Sequence, residues 1–238
     1  MNPYHALLRL LDAIVSAILD LSGYVADLPL HRMRLLEPSF GGGEFLLADA
    51  GELSRHWLLC DDFLLCELSG EFDIIVGNPP YSRQEHILEA LLREYRARFR
   101  TMFDRADIYV AFYERALDLL MPGGRLGFIC ANCWMKNRYG GPLREKIVSG
   151  FALQHHIDME DIDAFHSEVI AYPAITVVQR TTHGTTKTTP PTRVARSKAV
   201  EDERGLPKLV SAMLADPADP ALIGQISLLG SGEAPWLR

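Results

Sequence analysis

The chain has 238 residues, 48% of them hydrophobic, and a formal net charge of −7. This length suits one domain, or one domain with a fragment of another, and the hydrophobic content is enough for a sizeable core. The negative charge excludes a generally basic surface, so contact with nucleic acid would need a local patch, a further domain or another chain. Four cysteines are too few for a disulfide framework at this length, which favours a reducing cytoplasm.

The first 32 residues are predicted to form a helical segment. Apolar residues recur at helical spacing from Leu7 to Ile18. Arg9, Asp12 and Asp20 interrupt this apolar stretch, which has neither a basic start nor a small-residue cleavage site. We therefore expect a helix packed on the core rather than a signal peptide or a membrane span.

The central part of the chain alternates between strand and helix patterns. Strands are predicted at residues 33–36, 57–60, 72–76, 125–130, 151–157 and 174–178, and helices at residues 87–99, 108–120 and 142–148. This alternation predicts an α/β domain over residues 33–180, with a mostly parallel sheet and helices on both faces. Thr, Pro and basic residues are abundant at 181–196, which predicts a linker. A weak helix follows at 206–214, and we expect residues 181–238 to be this linker and the start of a C-terminal region that is otherwise missing.

The stretch from Asp73 to Tyr81 predicts a buried strand that ends in a stiff polar loop. The side-chain oxygen of Asn78 and the carbonyl of Pro79, which has no N–H, are two hydrogen-bond acceptors. Because Pro79 and Pro80 restrict the backbone, both acceptors would be preorganised for a planar exocyclic amine whose lone pair must be localised toward a methyl donor. The ring of Tyr81 offers a face on which a flat base can stack. An ordinary strand ending in a Pro-Pro turn is the alternative.

Asn78–Tyr81 resembles the catalytic Asn-Pro-Pro-Tyr motif of the N6-adenine-specific DNA methyltransferases. The Asp-Phe-Leu-Leu run at 62–65 and the Arg-Gln-Glu run at 83–85 are similar to the subgroup whose cofactor motif comes first, which includes methylases of type II restriction–modification systems. The resemblance covers about residues 33–180 and implies a Rossmann-like class I S-adenosylmethionine-dependent methyltransferase fold. It also implies that Asn78 and Pro79 bind the amine of an adenine flipped out of double-stranded DNA, while Tyr81 stacks on that base.

Residues 37–45 predict a glycine-rich loop after the first strand, where the backbone can approach a ligand closely. This loop is similar, position by position, to the family's acid-Pro-x-x-Gly-x-Gly-x-Phe cofactor motif. The resemblance implies that S-adenosylmethionine is bound here, with Phe45 against its methionine end and Glu37 near its polar tail. The residues assigned to the cofactor in this loop are Glu37, Pro38, Gly41, Gly43 and Phe45. A tight turn with a buried phenylalanine is the alternative.

Asp61 follows Glu37 by only 24 positions. One crossover helix and one strand fit this spacing, whereas two crossovers do not. The family has a further strand here, whose terminal acid binds the ribose hydroxyls, so a helix–strand unit of about twenty residues is predicted to be missing. Either Asp61 or Asp62 replaces that acid, since an acid about twenty residues past a glycine loop is the usual ribose partner, or the pocket is incomplete. The resemblance places Asp62 at the cofactor's adenine amine, with Phe63 in the same pocket.

Three further patterns leave alternatives open. Phe165 and Tyr172 precede the predicted strand at 174–178, and each could contact the second face of the flipped base or pack at the strand start. The lone Cys130-x-x-Cys133 lacks two further ligands, so no metal site is expected. A set of arginines after the catalytic loop forms either a solvated helix face or phosphate contacts. These are Arg83, Arg93, Arg96, Arg98, Arg100 and Arg105.

The sequence thus predicts a cytoplasmic, site-specific adenine-N6 DNA methyltransferase of a restriction–modification or phage-defence system, with no membrane partner. Three alternatives remain: an inactive truncated remnant, a methyltransferase acting on glutamine amides of proteins, and a non-catalytic DNA-binding subunit. The DNA target sequence would be read by a separate target-recognition domain or subunit.

Overall fold

The computed structural model describes residues 3–39, 59–159, 173–182, 192–196, 205–218, 220, 222–226 and 236. The strands in this part of the chain are β1 (Leu35–Leu36), β2 (Phe72–Gly77), β3 (Leu120–Ala131), β4 (Phe151–Asp158), β5 (Pro173–Arg180), β6 (Thr192–Arg196) and β7 (Gly224–Ile226). The α-helices are α1 (Pro3–Ser22), α2 (Glu89–Arg98), α3 (Tyr109–Leu119), α4 (Cys133–Lys136), α5 (Gly141–Gly150) and α6 (Gly205–Leu214).

The described strands form one sheet in the order β1-β2-β3-β5-β4-β6-β7. β2 is parallel to β1 and to β3, and β4 is parallel to β6. β5 is antiparallel to both of its neighbours, and β7 is antiparallel to β6. Five strands therefore run in one direction and two run against them, which confirms the predicted mostly parallel sheet.

Hydrophobic residues are buried on both faces of this sheet. On one face α2, α3, α4 and α5 contribute a core that includes Tyr113 and Trp134. On the other face α1 and α6 contribute Ile18 and Leu209. A Cβ atom added to Gly127 of β3 would lie 2.2 Å from the Ser22 hydroxyl oxygen, so the absence of a side chain there lets α1 approach the sheet. No helix in the described residues is long and apolar enough to cross a membrane.

Most predicted elements agree with the structure to within about two residues, but two strand assignments differ. β3 begins at Leu120 rather than at Arg125, because the Pro-Gly-Gly run after the helix lies in an irregular stretch of strand where the register with β2 shifts. Gly123 has φ +84°, a conformation that favours glycine. Leu59 and Cys60, the described residues of the strand predicted at 57–60, lie outside any strand.

The linker predicted at 181–196 is wrong for its last five residues, which form β6 and pair with β4. The side chain of Thr192 is buried, and its hydroxyl donates a hydrogen bond to the Leu153 carbonyl at 2.7 Å. Arg193 donates to the carbonyl of Ala215 at 2.7 Å. The basic composition that indicated a linker thus includes an arginine with an internal hydrogen-bonding role, and the sheet continues beyond residue 180.

Candidate active site

The predicted catalytic loop follows a fully buried part of β2. Ile75 and Val76 are completely buried, and Gly77 pairs with Phe128 of β3. Beyond Gly77 the chain leaves the sheet at the carboxyl end of a parallel strand, the edge where α/β folds bind ligands. Asn78 is exposed, and Pro79 after it is buried. The exposed amide is therefore available to a ligand, while the buried proline restricts the backbone that carries it.

The start of the predicted cofactor loop lies beside this catalytic loop. The Ser39 hydroxyl donates a hydrogen bond to the Asn78 carbonyl at 2.6 Å. A Cβ atom added to Gly77 would lie 3.5 Å from Pro38 and 3.8 Å from Glu37. These contacts arise because β1 pairs in parallel with β2, which brings the carboxyl ends of both strands to one edge. The structure thus brings Glu37 and Pro38 next to the catalytic motif.

Tyr81 is largely buried rather than exposed. Its hydroxyl donates to the carbonyl of Ile129 on β3 at 3.4 Å. Burial raises the pKa of the Tyr81 phenol, with a smaller contribution from Cys130, so the hydroxyl stays protonated and acts as a donor. The side chain packs against the core on the α3 face of the sheet. Its role in stacking on a base stays a prediction.

A second loop contains Asp61 and Asp62. The Asp62 carboxylate accepts the Leu64 N–H at 2.8 Å on one oxygen and the Tyr95 hydroxyl at 2.6 Å on the other. Asp61 is exposed, and its carboxylate accepts the Asp62 N–H at 2.7 Å. The two acids therefore differ: Asp62 has both oxygens engaged within the protein, whereas Asp61 faces solvent.

Phe63, predicted to lie in the cofactor pocket, packs in the core. It is 7% exposed, and its ring centroid lies 5.1 Å from that of Phe112. The Arg115 guanidinium lies over the same ring at 5.2 Å and also donates to the Leu64 carbonyl at 2.7 Å. These contacts hold the loop that carries Asp61 and Asp62. The predicted site residues Gly41, Gly43, Phe45, Phe165 and Tyr172 lie outside the described residues.

Some of the arginines after the catalytic loop bind protein groups. Arg96 donates to the Gln84 side chain, and Arg98 donates to the Leu65 carbonyl at 3.1 Å. Arg100 forms an exposed ion pair with Glu145 at 3.4 Å. All six arginines are exposed, so the solvated-face and phosphate-contact alternatives both stay open for this set.

Asn132 is a candidate site residue that the sequence analysis missed. It directly follows β3 and is 1% exposed, and neither its side-chain oxygen nor its nitrogen has a hydrogen-bond partner among the residues that the structure describes. Each unpaired buried polar group costs about 1–3 kcal/mol, so such an amide calls for a specific reason. The sequence pattern that could have indicated Asn132 is a polar residue immediately after a buried strand, which is also the position of Asn78 after β2.

Histidine and cysteine do not assemble a metal site in the described part of the chain: no group of three or more His, Cys, Asp or Glu side chains is placed to bind an ion there. Cys130 is buried and its thiol lies 3.4 Å from the Tyr113 hydroxyl. Burial raises the pKa of Cys130 to about 12, so this thiol stays protonated.

Comparison with solved structures identifies the fold. The chain superposes on a class I S-adenosylmethionine-dependent methyltransferase from Listeria monocytogenes with a TM-score of 0.61 and 13% identity, covering 84% of this chain and 68% of that one. It superposes on the type IIG restriction endonuclease BpuSI with a TM-score of 0.60 and 17% identity, covering 92% of this chain and 30% of that one. The predicted Rossmann-like class I methyltransferase fold is thus confirmed.

Comparison with known sequences identifies the family. Type II methyltransferase M.PaeR7I of Pseudomonas aeruginosa is 41% identical to this chain, covering 94% of it and 48% of the relative. Type II methyltransferase M.XhoI of Xanthomonas vasicola is 39% identical, covering 94% of this chain and 51% of the relative. The chain spans about half the length of these relatives. The model of the Eco57I restriction-modification methylase family matches residues 44–165, slightly more than half of the chain, and the chain therefore belongs to that family.

Proposed function

We propose that this chain is the catalytic part of a site-specific DNA methyltransferase of a restriction–modification system, which transfers a methyl group from S-adenosylmethionine to N6 of adenine. The observation that carries this proposal is the position of Asn78-Pro79-Pro80-Tyr81 at the end of buried β2, within hydrogen-bond distance of Ser39 after β1. The type II methyltransferase relatives support DNA as the substrate.

The proposed chemistry needs no covalent enzyme intermediate. The bound cofactor would supply an electrophilic methyl group on a positively charged sulfur. The Asn78 side-chain oxygen and the Pro79 carbonyl accept hydrogen bonds from the adenine amine and localise its lone pair. The methyl group would pass in line to N6 as its bond to sulfur breaks, and the surplus N6 proton would pass to water. Tyr81, and Phe165 or Tyr172, would stack on the base.

We infer that Asp61 binds the ribose hydroxyls and that Asp62 contacts the adenine amine of the cofactor. The exposure of Asp61 supports the first role, and the fixed orientation of Asp62 supports the second. The alignment with M.PaeR7I is consistent with a deletion in this chain but gives no position for it. The alignment with M.PaeR7I runs over 281 positions, but 94% of this chain is about 224 residues, so about 57 positions have no residue of this chain.

Calorimetric titration with S-adenosylmethionine tests this pocket. Loss of a hydrogen bond to a charged group costs about 1.5–3 kcal/mol, so Asp61→Asn is expected to weaken binding by about tenfold or more. Glu67→Gln, an exposed acid on the same loop, is the matched control and should bind as the original chain does. The absence of heat from the unmodified chain at high concentration would favour the inactive-remnant alternative.

Transfer of a tritiated methyl group from the cofactor to unmethylated genomic DNA tests the activity. Asn78→Ala is expected to lower the rate by about 10²- to 10³-fold, as loss of one preorganised polar group does at other active sites. Asn137→Ala, at an exposed asparagine, should leave the rate close to that of the original chain. Nucleoside mass spectrometry should then find N6-methyladenine. Label in cytosine, or in protein glutamine rather than DNA, would contradict the proposal.

We propose double-stranded DNA as the partner, with a separate target-recognition domain or subunit and a cytoplasmic location. The exposed Arg83, Arg93 and Arg105 are candidates for phosphate contacts close to the catalytic loop. Electrophoretic mobility shift at increasing salt would test this: replacing each arginine should reduce the salt dependence of binding. A salt dependence that none of the three replacements alters would contradict the assignment.

A further inference from the structure

Helix α2 contacts both loops of the candidate active site. Tyr95 donates its hydroxyl proton to Asp62 at 2.6 Å, and Arg98 donates to the Leu65 carbonyl at 3.1 Å. Arg96 donates to the Gln84 side chain, just beyond the catalytic motif. Because consecutive helical residues project about 100° apart, adjacent residues 95 and 96 can reach two different loops. One ten-residue helix is therefore bonded to the loop that carries Asp62 and to the loop that follows Tyr81.

The contact between Tyr95 and Asp62 orients the carboxylate. Tyr95 is 4% exposed, and burial raises the pKa of its phenol, with further contributions from its hydrogen bond to Asp62 and the charge of that residue. The phenol therefore stays a donor. The Leu64 N–H donates to the other carboxylate oxygen at 2.8 Å. Each oxygen of Asp62 therefore has a donor, and the two hydrogen bonds together fix the orientation of the carboxylate.

The Gln84 carboxamide joins three segments. It is 9% exposed, donates to the Asp104 carbonyl at 2.8 Å, and accepts from Arg96. Two residues earlier, the Ser82 carbonyl accepts the N–H of Ile108, at the start of α3, at 3.1 Å. The chain that leaves the catalytic motif is thus bonded to α2, to the turn at Asp104 and to α3.

We propose that α2 sets the separation between the loop that carries Asp62 and the catalytic loop, with Tyr95 and Gln84 as positioning residues on its two sides. This inference rests on the proposed function, because the Asp62 loop would hold the adenosine end of the cofactor while the catalytic loop holds the methyl acceptor. In-line transfer requires the reacting atoms to be about 3–3.5 Å apart, and a displacement of 1 Å can cost about 10²-fold in rate. A single helix bonded to both loops keeps the separation between the two loops constant.

Hydrogen exchange of the cofactor-free chain tests the shared role of α2. Ala97→Gly, at an exposed position in the last turn of α2, is expected to speed exchange about three- to fivefold at amides of both loops, because glycine is a weaker helix former than alanine. The reporters are the Leu65 and Cys66 amides, bonded to Asp62, and the His86 and Ile87 amides after the catalytic motif.

The matched control is Ala212→Gly in α6, a helix of the same length on the opposite face, which should alter neither loop. Tyr95→Phe should affect only the loop that carries Asp62, and Gln84→Leu only the catalytic loop. The proposal is overturned if Ala97→Gly leaves either loop unchanged, or if Ala212→Gly produces the same effect.

Kinetics separate positioning from general loss of structure. In the methyl-transfer assay, Tyr95→Phe should raise the cofactor KM about five- to tenfold with little change in kcat. Gln84→Leu should lower kcat about tenfold or more with little change in the cofactor KM, and Gln84→Glu, which keeps the acceptor for Arg96, should recover part of it. If Tyr95→Phe and Gln84→Leu changed kcat and the cofactor KM to the same extent, the separate positioning roles of Tyr95 and Gln84 would be overturned. If the unmodified chain transfers no methyl group, the proposed function fails, while the exchange result still decides the role of α2.

Discussion

Two adjacent buried histidines on β4 predict loss of stability in mild acid. His155 and His156 are 9% and 1% exposed, and burial lowers the pKa of each to about 4, against an ordinary value of 6.5. For His155 the positive charges of Arg193 and Arg125 act in the same direction. The unfolded chain therefore binds more protons than the folded chain between pH 6.5 and 4. The free energy of unfolding is therefore highest above pH 6.5, where both histidines are neutral, and it decreases as the pH falls from 6.5 toward 4.

The magnitude follows from these pKa values. One pKa unit corresponds to about 1.4 kcal/mol, so each histidine contributes a loss of about 2 kcal/mol between pH 7 and pH 5. His156→Gln should abolish about half of the combined loss, and glutamine can still hydrogen-bond to Thr176, whose hydroxyl lies 3.3 Å from the histidine Nδ1. Urea unfolding at pH 7 and pH 5 measures the difference. His86→Gln, at an exposed histidine, is the control and should lose as much stability as the original chain.

An identical loss of stability in His156→Gln and the original chain would refute this reasoning. It would mean that the His156 site accepts a proton without penalty, so burial in β4 would not carry the electrostatic cost assigned to it. His155→Gln provides an independent second measurement, since that residue is also buried and its Nδ1 atom has no hydrogen-bond partner within the described part of the chain.

Two further predictions concern backbone packing and thiol reactivity. Gly140→Ala should lower the free energy of unfolding by about 3 kcal/mol, since the added Cβ would lie 1.8 Å from the Trp134 carbonyl oxygen. Gly150→Ala, where the Cβ would meet nothing within 4 Å, should stay within about 0.5 kcal/mol of the original chain, and equal urea midpoints for the two variants would count against the argument. Mass spectrometry should find iodoacetamide on exposed Cys60 within minutes but on buried Cys130 only after unfolding; equal rates would show that the Cys130 site opens readily.

The general fold was predictable because its signals are local. The alternation of strand and helix patterns predicted the α/β domain, and β2, α2 and α3 lie within two residues of their predicted limits. Strand Thr192–Arg196 was not predicted, since a short run with two arginines indicates a linker by composition. Its place in the sheet depends on the Leu153 carbonyl, which accepts from Thr192, and on the Ala215 carbonyl, which accepts from Arg193, and both acceptors lie far from this strand in the chain.

By itself, the sequence determined which chemistry is proposed for the site, because Asn78, Pro79, Pro80 and Tyr81 are consecutive and their acceptors and ring follow from residue type. Only the tertiary structure decided which residues contact and orient the side chains around the site. The sequence could not show that Asp62 is oriented by Tyr95, 33 positions later, or that Arg96 contacts Gln84 rather than solvent. Such bonds join segments that are brought together only when α2 packs beside both loops, and the packing depends on the whole buried core rather than on any local pattern.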